Sequence, residues 1–282
     1  MIDYKKLKSR YFEPFTRHYL PTDTIHYAKG FGAGQDSRRT QDDAAYLADG
    51  PTLQALPMMA VALADGEFWQ QDPSTGIVWQ KIVHAAESIR IHTPLPAQGT
   101  VVVSQYIKDI FDRGEAKGAV MLQNQQLSDE QGTPLVDIEV MTILKGNGGF
   151  GGPPAPDSRP APLPERTPDG IIELSTPTAQ DTAFRLTVDL EVADSSTNSE
   201  PKCMIRGVGC FGLAGRAALL LACSNQPERL QAFGVRYAGP MFTGETMRVS
   251  LWHLQPGKAV FRMDAVEREQ AVLSHGYIEY RE

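Results

Sequence analysis

Three carboxylates fall within six residues in the second half of the chain. Asp189, Glu191 and Asp194 follow a segment in which apolar and polar residues alternate, as they do in a half-buried strand. Asp189 and Glu191 are two residues apart and would share one face of that strand. Crowded carboxylates have their pKa values pushed apart, which suits general acid–base chemistry. The same residues also fit a solvated acidic turn with Arg206 as its counter-ion.

A helix start is predicted shortly after these carboxylates. Arg206 and Gly207 lead into an apolar segment, Val208 to Cys223, which is rich in glycine and alanine. Glycines cost helix stability, so tertiary packing against a sheet must fix this helix. The free N–H groups at Gly207 are suited to bind an anion or a polarised carbonyl, with Arg206 beside them. An ordinary helix start without a ligand is the alternative.

Other kinds of site have less support. Gly207, Gly209 and Gly212 match a dinucleotide-binding spacing, but no βαβ unit surrounds them. The six histidines are dispersed without metal-ligand spacing, and His84 and His92 are predicted to be structural. The three cysteines form no ligand pattern and suit buried thiols in a reducing compartment. We therefore predict no metal site.

Composition sets limits on partners and location. The 282 residues are 41% hydrophobic, which supports an ordinary packed core, and the net charge of −7 argues against a broad nucleic-acid footprint. The N-terminus lacks an apolar signal core, and no apolar run is long enough to cross a bilayer. We expect a cytoplasmic protein without nucleic-acid or membrane partners.

Hydrophobic periodicity divides the chain into two similar halves, 1–146 and 171–282. The connection, 147–170, contains seven prolines and five glycines and cannot form a core of its own. Helices are predicted over 24–31 and from 208, with a short or broken one over 53–64 because of Pro57 and a loop over 35–43. Long strands with glycine-marked turns indicate antiparallel sheets. They are predicted at 88–93, 100–111, 119–127, 135–144, 171–175, 183–189, 232–237, 246–253, 259–267 and 271–280.

Four stretches resemble the MaoC-like hydratases, in particular the two-repeat (R)-specific enoyl-CoA hydratases of the hydratase 2 type. These stretches are 24–34, 84–99, 145–152 and 235–246. The resemblance implies an α+β double hot-dog fold, in which each half curls an antiparallel sheet around a helix. It also implies an acyl-CoA ligand whose acyl chain enters the first half, where the helix is shortened. No cofactor is expected besides the CoA thioester as substrate or ligand, and a homodimer is expected.

The catalytic motif of that family is altered in this sequence. The family pattern is an aromatic residue followed by x-Leu-Ser-Gly-Asp-x-Asn-Pro-x-His. Aligned from Phe184, its Asp falls on Asp189, its Asn on Glu191 and its His on Asp194. The resemblance implies that Asp189 helps to activate water and that Gly207 polarises the thioester carbonyl. For hydration with the altered motif, we predict that Asp189 is the base and Asp194 or Glu191 the acid.

Three functions are consistent with this motif. The first is an enoyl-CoA hydratase or 3-hydroxyacyl-CoA dehydratase with altered acid–base residues. The second is a non-catalytic acyl-CoA binder or an inactive partner of an active hydratase. Of four family residues only the Asp is kept: Glu191 replaces the Asn, Asp194 the His, and Arg206 the His of a His-Gly pair at the helix entrance. The third is an acyl-CoA thioesterase, since other hot-dog proteins hydrolyse acyl-CoA with a lone carboxylate.

Overall fold

The computed structural model describes residues 2–36, 40–156, 160–176, 188–192 and 202–282. The α-helices in this part of the chain are α1 (Tyr4–Lys8), α2 (Pro21–Gly30), α3 (Thr40–Leu47), α4 (Met59–Leu63) and α5 (Gly207–Ala222). The strands of the first half are β1 (Phe15–Tyr19), β2 (Ile82–Ile91), β3 (Gly99–Asp112), β4 (Ala119–Ser128) and β5 (Pro134–Leu144). Those that follow are β6 (Gly170–Ser175), β7 (Val188–Val192), β8 (Lys202–Ile205), β9 (Leu230–Tyr237), β10 (Met241–Phe242), β11 (Thr246–Gln255), β12 (Lys258–Ala265) and β13 (Gln270–Tyr280).

The two halves share one ten-stranded antiparallel sheet. Its strand order is β1-β3-β4-β5-β2-β9-β13-β12-β11-β6, so β2 of the first half pairs with β9 of the second. The two sheets expected from the sequence are therefore joined edge to edge through these central strands. A smaller antiparallel sheet, β10-β8-β7, leads directly into the start of α5.

The helix α5 is the central element of the core. It is apolar around most of its circumference and buries twelve of its sixteen residues. A methyl group on Gly212 would lie 2.6 Å from the Phe31 ring, and one on Gly215 would lie 2.1 Å from Cε of Met58. The small residues therefore let the first half pack directly on this helix, as their density predicted.

The corresponding helix of the first half is much shorter. α4 has five residues, and Pro57 precedes it, as expected for the broken segment over 53–64. Its backbone continues into Ala64 and Asp65, where the helix has already ended.

A buried ion pair joins α3 to α5. Nη2 of Arg216 lies 2.9 and 2.8 Å from the two carboxylate oxygens of Asp43, and the side chains are 2% and 0% exposed. Asp43 also accepts a hydrogen bond from the Gly34 amide at 2.8 Å. Asn225, just after α5, donates to the Asp42 carbonyl at 2.6 Å. Polar contacts thus fix α3 where the sequence predicted a surface loop over 35–43.

Several predicted element boundaries were wrong. β2 begins at Ile82 rather than Ser88, since the polar residues His84 and Glu87 concealed its alternation. α2 begins at Pro21 rather than Thr24; Asp23 accepts the Leu20 amide hydrogen instead of acting as the cap residue. The predicted strand over 183–189 is described only from residue 188. Among the described residues, no helix is both long and apolar enough to cross a bilayer.

Candidate active site

A bulge in β2 turns two polar side chains toward the same face of the sheet. Residues three apart on a regular strand point to opposite faces. The pairing of β2 with β5 shifts register between His84 and Ala86, which inserts one residue and brings His84 and Glu87 onto one face. Nε2 of His84 lies 3.9 Å from Oε2 of Glu87.

Tyr237 and the start of α5 complete this cluster. The Tyr237 hydroxyl donates to Oε2 of Glu87 at 2.8 Å, and its ring centroid lies 4.6 Å from that of His84. A methyl group on Gly207 would lie 3.2 Å from the Tyr237 ring and 3.3 Å from Nδ1 of His84. The first residue of α5 is therefore in direct contact with the cluster. We call His84, Glu87, Tyr237 and Gly207 the junction cluster, because β2 and β9 join the two halves here.

Burial dominates the electrostatics of the junction cluster. Glu87 is 3% exposed, and desolvation raises the pKa of its carboxyl above the ordinary range. The nearby His84 and the Tyr237 hydrogen bond act in the opposite direction, and Asp65 adds to the rise. Burial, followed by the charge of Glu87, raises the pKa of Tyr237 well above its ordinary value. A carboxyl that holds its proton more tightly than usual is suited to act as a general acid.

The start of α5 packs against the rings of Tyr237 and His84. Arg206 precedes the helix with an extended backbone, and its carbonyl accepts hydrogen bonds from Gly209 and Cys210 at 2.9 and 3.0 Å. The first N–H groups of a helix have no acceptor within it, so those at Gly207 and Val208 are suited to bind a carbonyl oxygen. Arg206 itself is exposed at the rim. The predicted binding role of Gly207 thus has a suitable location.

The predicted catalytic carboxylates are only partly within the described residues. Asp189 and Glu191 lie on β7, whose backbone pairs with β8 immediately before α5; Val188 is opposite Ile205 and Glu191 is opposite Cys203. The pairing is irregular between Val188 and Glu191, at Asp189 and Leu190. Asp194 lies outside the described residues. The backbone of Asp189 is therefore on the strand next to the one that enters α5, and the roles of all three carboxylates stay predictions.

No group of three or more histidine, cysteine or acidic side chains in the described ranges is arranged to hold a metal ion. An apolar cavity of about 200 Å³ does lie at the other end of β2, lined by residues that include Pro57, Ile91, Leu95 and Pro227. It is seven residues along the strand from His84 and is separate from the junction cluster.

Sequence reasoning assigned no chemical role to His84, Glu87 or Tyr237. The available signal was Glu87, the one acidic residue of the segment 82–91, within the stretch 84–99 that carried a family resemblance. That signal could not show that a bulge would bring Glu87 beside His84. It also could not show that Tyr237, 150 residues later, would donate to the same carboxyl.

Known proteins support the resemblance over nearly the whole chain. A profile of the MFE-2 hydratase 2 N-terminal domain matches residues 18–146. The chain is 31% identical to 3-hydroxyacyl-thioester dehydratase Y of Mycobacterium tuberculosis, over 95% of each protein. It belongs to the hydratase 2 family of MaoC-like dehydratases.

Two further relatives agree with this assignment. The crystal structure of a MaoC-like dehydratase from Phytophthora capsici superposes with a TM-score of 0.81 at 25% identity, covering 99% of this chain and 98% of that one. The peroxisomal multifunctional enzyme type 2 of Drosophila melanogaster is 29% identical over 92% of this chain, which spans 45% of that longer protein. The predicted α+β double hot-dog fold is confirmed. The predicted class, a hydro-lyase of the enoyl-CoA hydratase type, is confirmed for the family.

Proposed function

We propose that this protein catalyses the reversible addition of water to a 2-enoyl-CoA thioester through an acid–base site at the start of α5. The observation that carries the proposal is the buried Glu87 carboxyl, which accepts a hydrogen bond from Tyr237 and lies beside His84. Gly207, at the start of α5, packs against the same Tyr237 and His84 rings. A proton donor and a carbonyl-binding helix start are two of the three elements that conjugate hydration requires, and the third is a base that accepts a proton from the attacking water.

The reaction can be written with these residues and one water molecule. The N–H groups at Gly207 bind the thioester oxygen, which draws electrons from the double bond and makes C3 electrophilic. Water attacks C3 and loses one proton to a carboxylate, a role that the family resemblance gives to Asp189. The electron pair that reaches C2 takes a proton from Glu87, and proton exchange through water then restores both carboxyl groups. This scheme needs no cofactor besides the thioester itself.

The test is loss of enoyl absorbance with crotonyl-CoA and longer 2-enoyl-CoAs. We expect Glu87→Gln to lower kcat/KM by about 10²–10³-fold, the usual contribution of a positioned general acid or base. Asp189→Asn should cause a similar loss if Asp189 is the base. Glu139→Gln is the matched control, because Glu139 pairs with Lys108 on the outer face of β5.

Unchanged turnover in Glu87→Gln would remove Glu87 from the mechanism, and a wild-type protein inactive at every chain length would refute the proposal. A non-catalytic acyl-CoA binder is then the second candidate, favoured by Glu191 and Asp194 in place of the family's Asn and His. Calorimetry with acyl-CoAs would detect that binding, and a thiol reagent would detect the free CoA that a thioesterase releases.

The predicted homodimer and cytoplasmic location are retained as proposals, and light scattering tests the former.

A further inference from the structure

Polar side chains interrupt the inner, core-facing side of the first-half strands, starting at the junction cluster. Glu87 is opposite Val140, and Val140 is opposite Gln123 on the next strand. Gln105 and Gln125 are directly opposite each other in the adjacent row. Nε2 of Gln123 donates to Oε1 of Gln105 at 2.8 Å. We call Gln105, Gln123 and Gln125 the amide seam.

The amide seam separates two apolar clusters on the same face. One cluster contains Val103 and Leu127 and is continuous with the packing around α5. The other contains Ile107 and Met121 and is covered by the N-terminal residues. Burying amide groups inside an apolar core is unfavourable unless they find hydrogen-bond partners. A polar row between two such clusters therefore requires an explanation beyond core packing.

The seam lies next to the end of the short helix of the first half. Nε2 of Gln125 donates to the carbonyl of Ala64, immediately beyond the end of α4, at 3.0 Å. Gln105 and Gln125 remain partly exposed although their neighbours along the face, such as Val103 and Leu127, are fully buried. Gln105 and Gln125 therefore border space that solvent reaches, and Gln123, between them and the row of Glu87, is 7% exposed.

The seam also has the capacity to bind a polar group. A glutamine amide offers two donors and two acceptor lone pairs, and the contact between Gln123 and Gln105 uses one donor of the first and one lone pair of the second. Gln123 is two strands from Glu87, which corresponds to roughly 10 Å at the usual spacing of about 4.8 Å between strands. A thioester that reacts beside Glu87 would place the middle or end of a medium-length acyl chain at this distance.

We propose that Gln105 and Gln123 make this site selective for acyl chains that carry a hydroxyl or carbonyl group at about this distance from the reacting double bond. The inference rests on the proposed function for the position of the thioester. It adds the substrate class, which is a polar acyl thioester in preference to a plain fatty acyl thioester. Both glutamines act here as specificity-determining residues and not as catalytic ones.

The test compares oct-2-enoyl-CoA with its omega-hydroxy derivative, by kcat/KM and by calorimetry. We expect the wild-type protein to prefer the hydroxylated thioester by about tenfold, the effect of one well-placed hydrogen bond. The double variant Gln105→Met/Gln123→Met should lose this preference and favour the plain chain. Removing both partners together avoids leaving one amide unsatisfied, so the variant is expected to fold. Gln126→Met is the matched control. Gln126 lies on β4, the strand that carries Gln123, but on its outer face, where its amide donates to Asp137.

The outcomes separate this inference from the proposed function. Hydration of both thioesters without a preference, or a preference that survives in the double variant, would overturn the inference and leave the function intact. If neither thioester is hydrated but calorimetry still favours the hydroxylated one, the proposed function fails and the selectivity of the site stands. Failure to bind either thioester would overturn both.

Discussion

Glu87 combines a cost to folding with a role suited to catalysis. Its carboxyl is almost completely buried, and the Tyr237 hydroxyl donates to it at 2.8 Å. Taking a carboxylate out of water is unfavourable, so the proton is held more tightly than in an exposed glutamate. Residues whose pKa is shifted by burial and a specific neighbour tend to lie at functional sites. In the proposed reaction, the N–H group of Gly207 at the start of α5 binds the thioester oxygen while Glu87 donates the proton.

The shifted pKa of Glu87 predicts how stability depends on pH. The folded state binds this proton more tightly than the unfolded state. The contribution of Glu87 to the free energy of unfolding is therefore most favourable at a pH below 4.5, the ordinary pKa of a glutamate. It is lost as pH rises from that value through the raised folded pKa. We expect Glu87→Gln to be more stable than the wild-type protein at neutral pH, with the difference shrinking toward pH 4.5.

Urea midpoints of the two proteins across that pH range measure this difference. A stability difference that does not change with pH would contradict the burial argument for Glu87. A gain in stability together with a loss of turnover would show that the buried carboxyl is retained for activity.

At the scale of elements, the site depends on how three segments end or bend. The bulge in β2 aims His84 and Glu87, the first turn of α5 presents Gly207, and the early end of α4 leaves the amide seam open. The position of α5 is in turn fixed by α3 through the buried pair of Arg216 and Asp43. The β2 bulge and the Arg216–Asp43 pair are contacts between elements far apart in the chain.

The buried ion pair gives the element-scale prediction. Asp43→Ala would leave the Arg216 charge buried without its partner, and we expect it to lower the free energy of unfolding by about 3–5 kcal/mol. The double variant Asp43→Leu/Arg216→Met should recover most of this loss, because apolar replacements of a buried pair are often neutral. Urea denaturation measures both changes.

The control is an exposed ion pair on the same protein. Glu173 and Arg248 are 47% and 45% exposed, and Glu173→Ala should change the free energy of unfolding by no more than about 1 kcal/mol. If Asp43→Ala costs no more than Glu173→Ala, the pair does not anchor α3 to α5.

At the scale of the whole molecule, the two halves form one structural unit. β2 and β9 pair across the boundary, and one apolar cluster contains Val103 and Leu127 of the first half together with Val249 and Phe261 of the second. A continuous sheet and a shared core couple the stability of the halves, so neither is expected to unfold alone.

Tryptophan fluorescence can test this coupling, because Trp69 and Trp79 lie in the first half and Trp252 in the second. Trp252→Phe leaves tryptophans only in the first half, and the double variant Trp69→Phe/Trp79→Phe leaves one only in the second. For each variant, we expect the urea midpoint from fluorescence to agree with the midpoint from far-UV circular dichroism. Gly234→Val should lower the midpoint reported by either half, since even a methyl group there would lie 2.8 Å from Cβ of Ser88 on β2 and 2.4 Å from the Tyr277 ring. Separate midpoints within one variant would indicate that the halves unfold independently.

Much of this architecture follows from the sequence. Alternating strands with glycine-marked turns identified the antiparallel sheets, and the density of small residues after Gly207 identified a helix packed tightly in the core. Pro57 indicated the short helix of the first half. These features are local, since strand alternation, proline geometry and helix propensity act within a few residues.

The junction cluster and the amide seam were decided by tertiary structure alone. His84 and Glu87 share a face only because β2 bulges against β5, and a register shift has no local signature in the residues that carry it. Tyr237 reaches Glu87 only because β9 pairs with β2, and Gln123 lies in the same row as Glu87 only through the intervening β5. The sequence determined which groups were available for chemistry, and long-range strand pairing determined which of them meet.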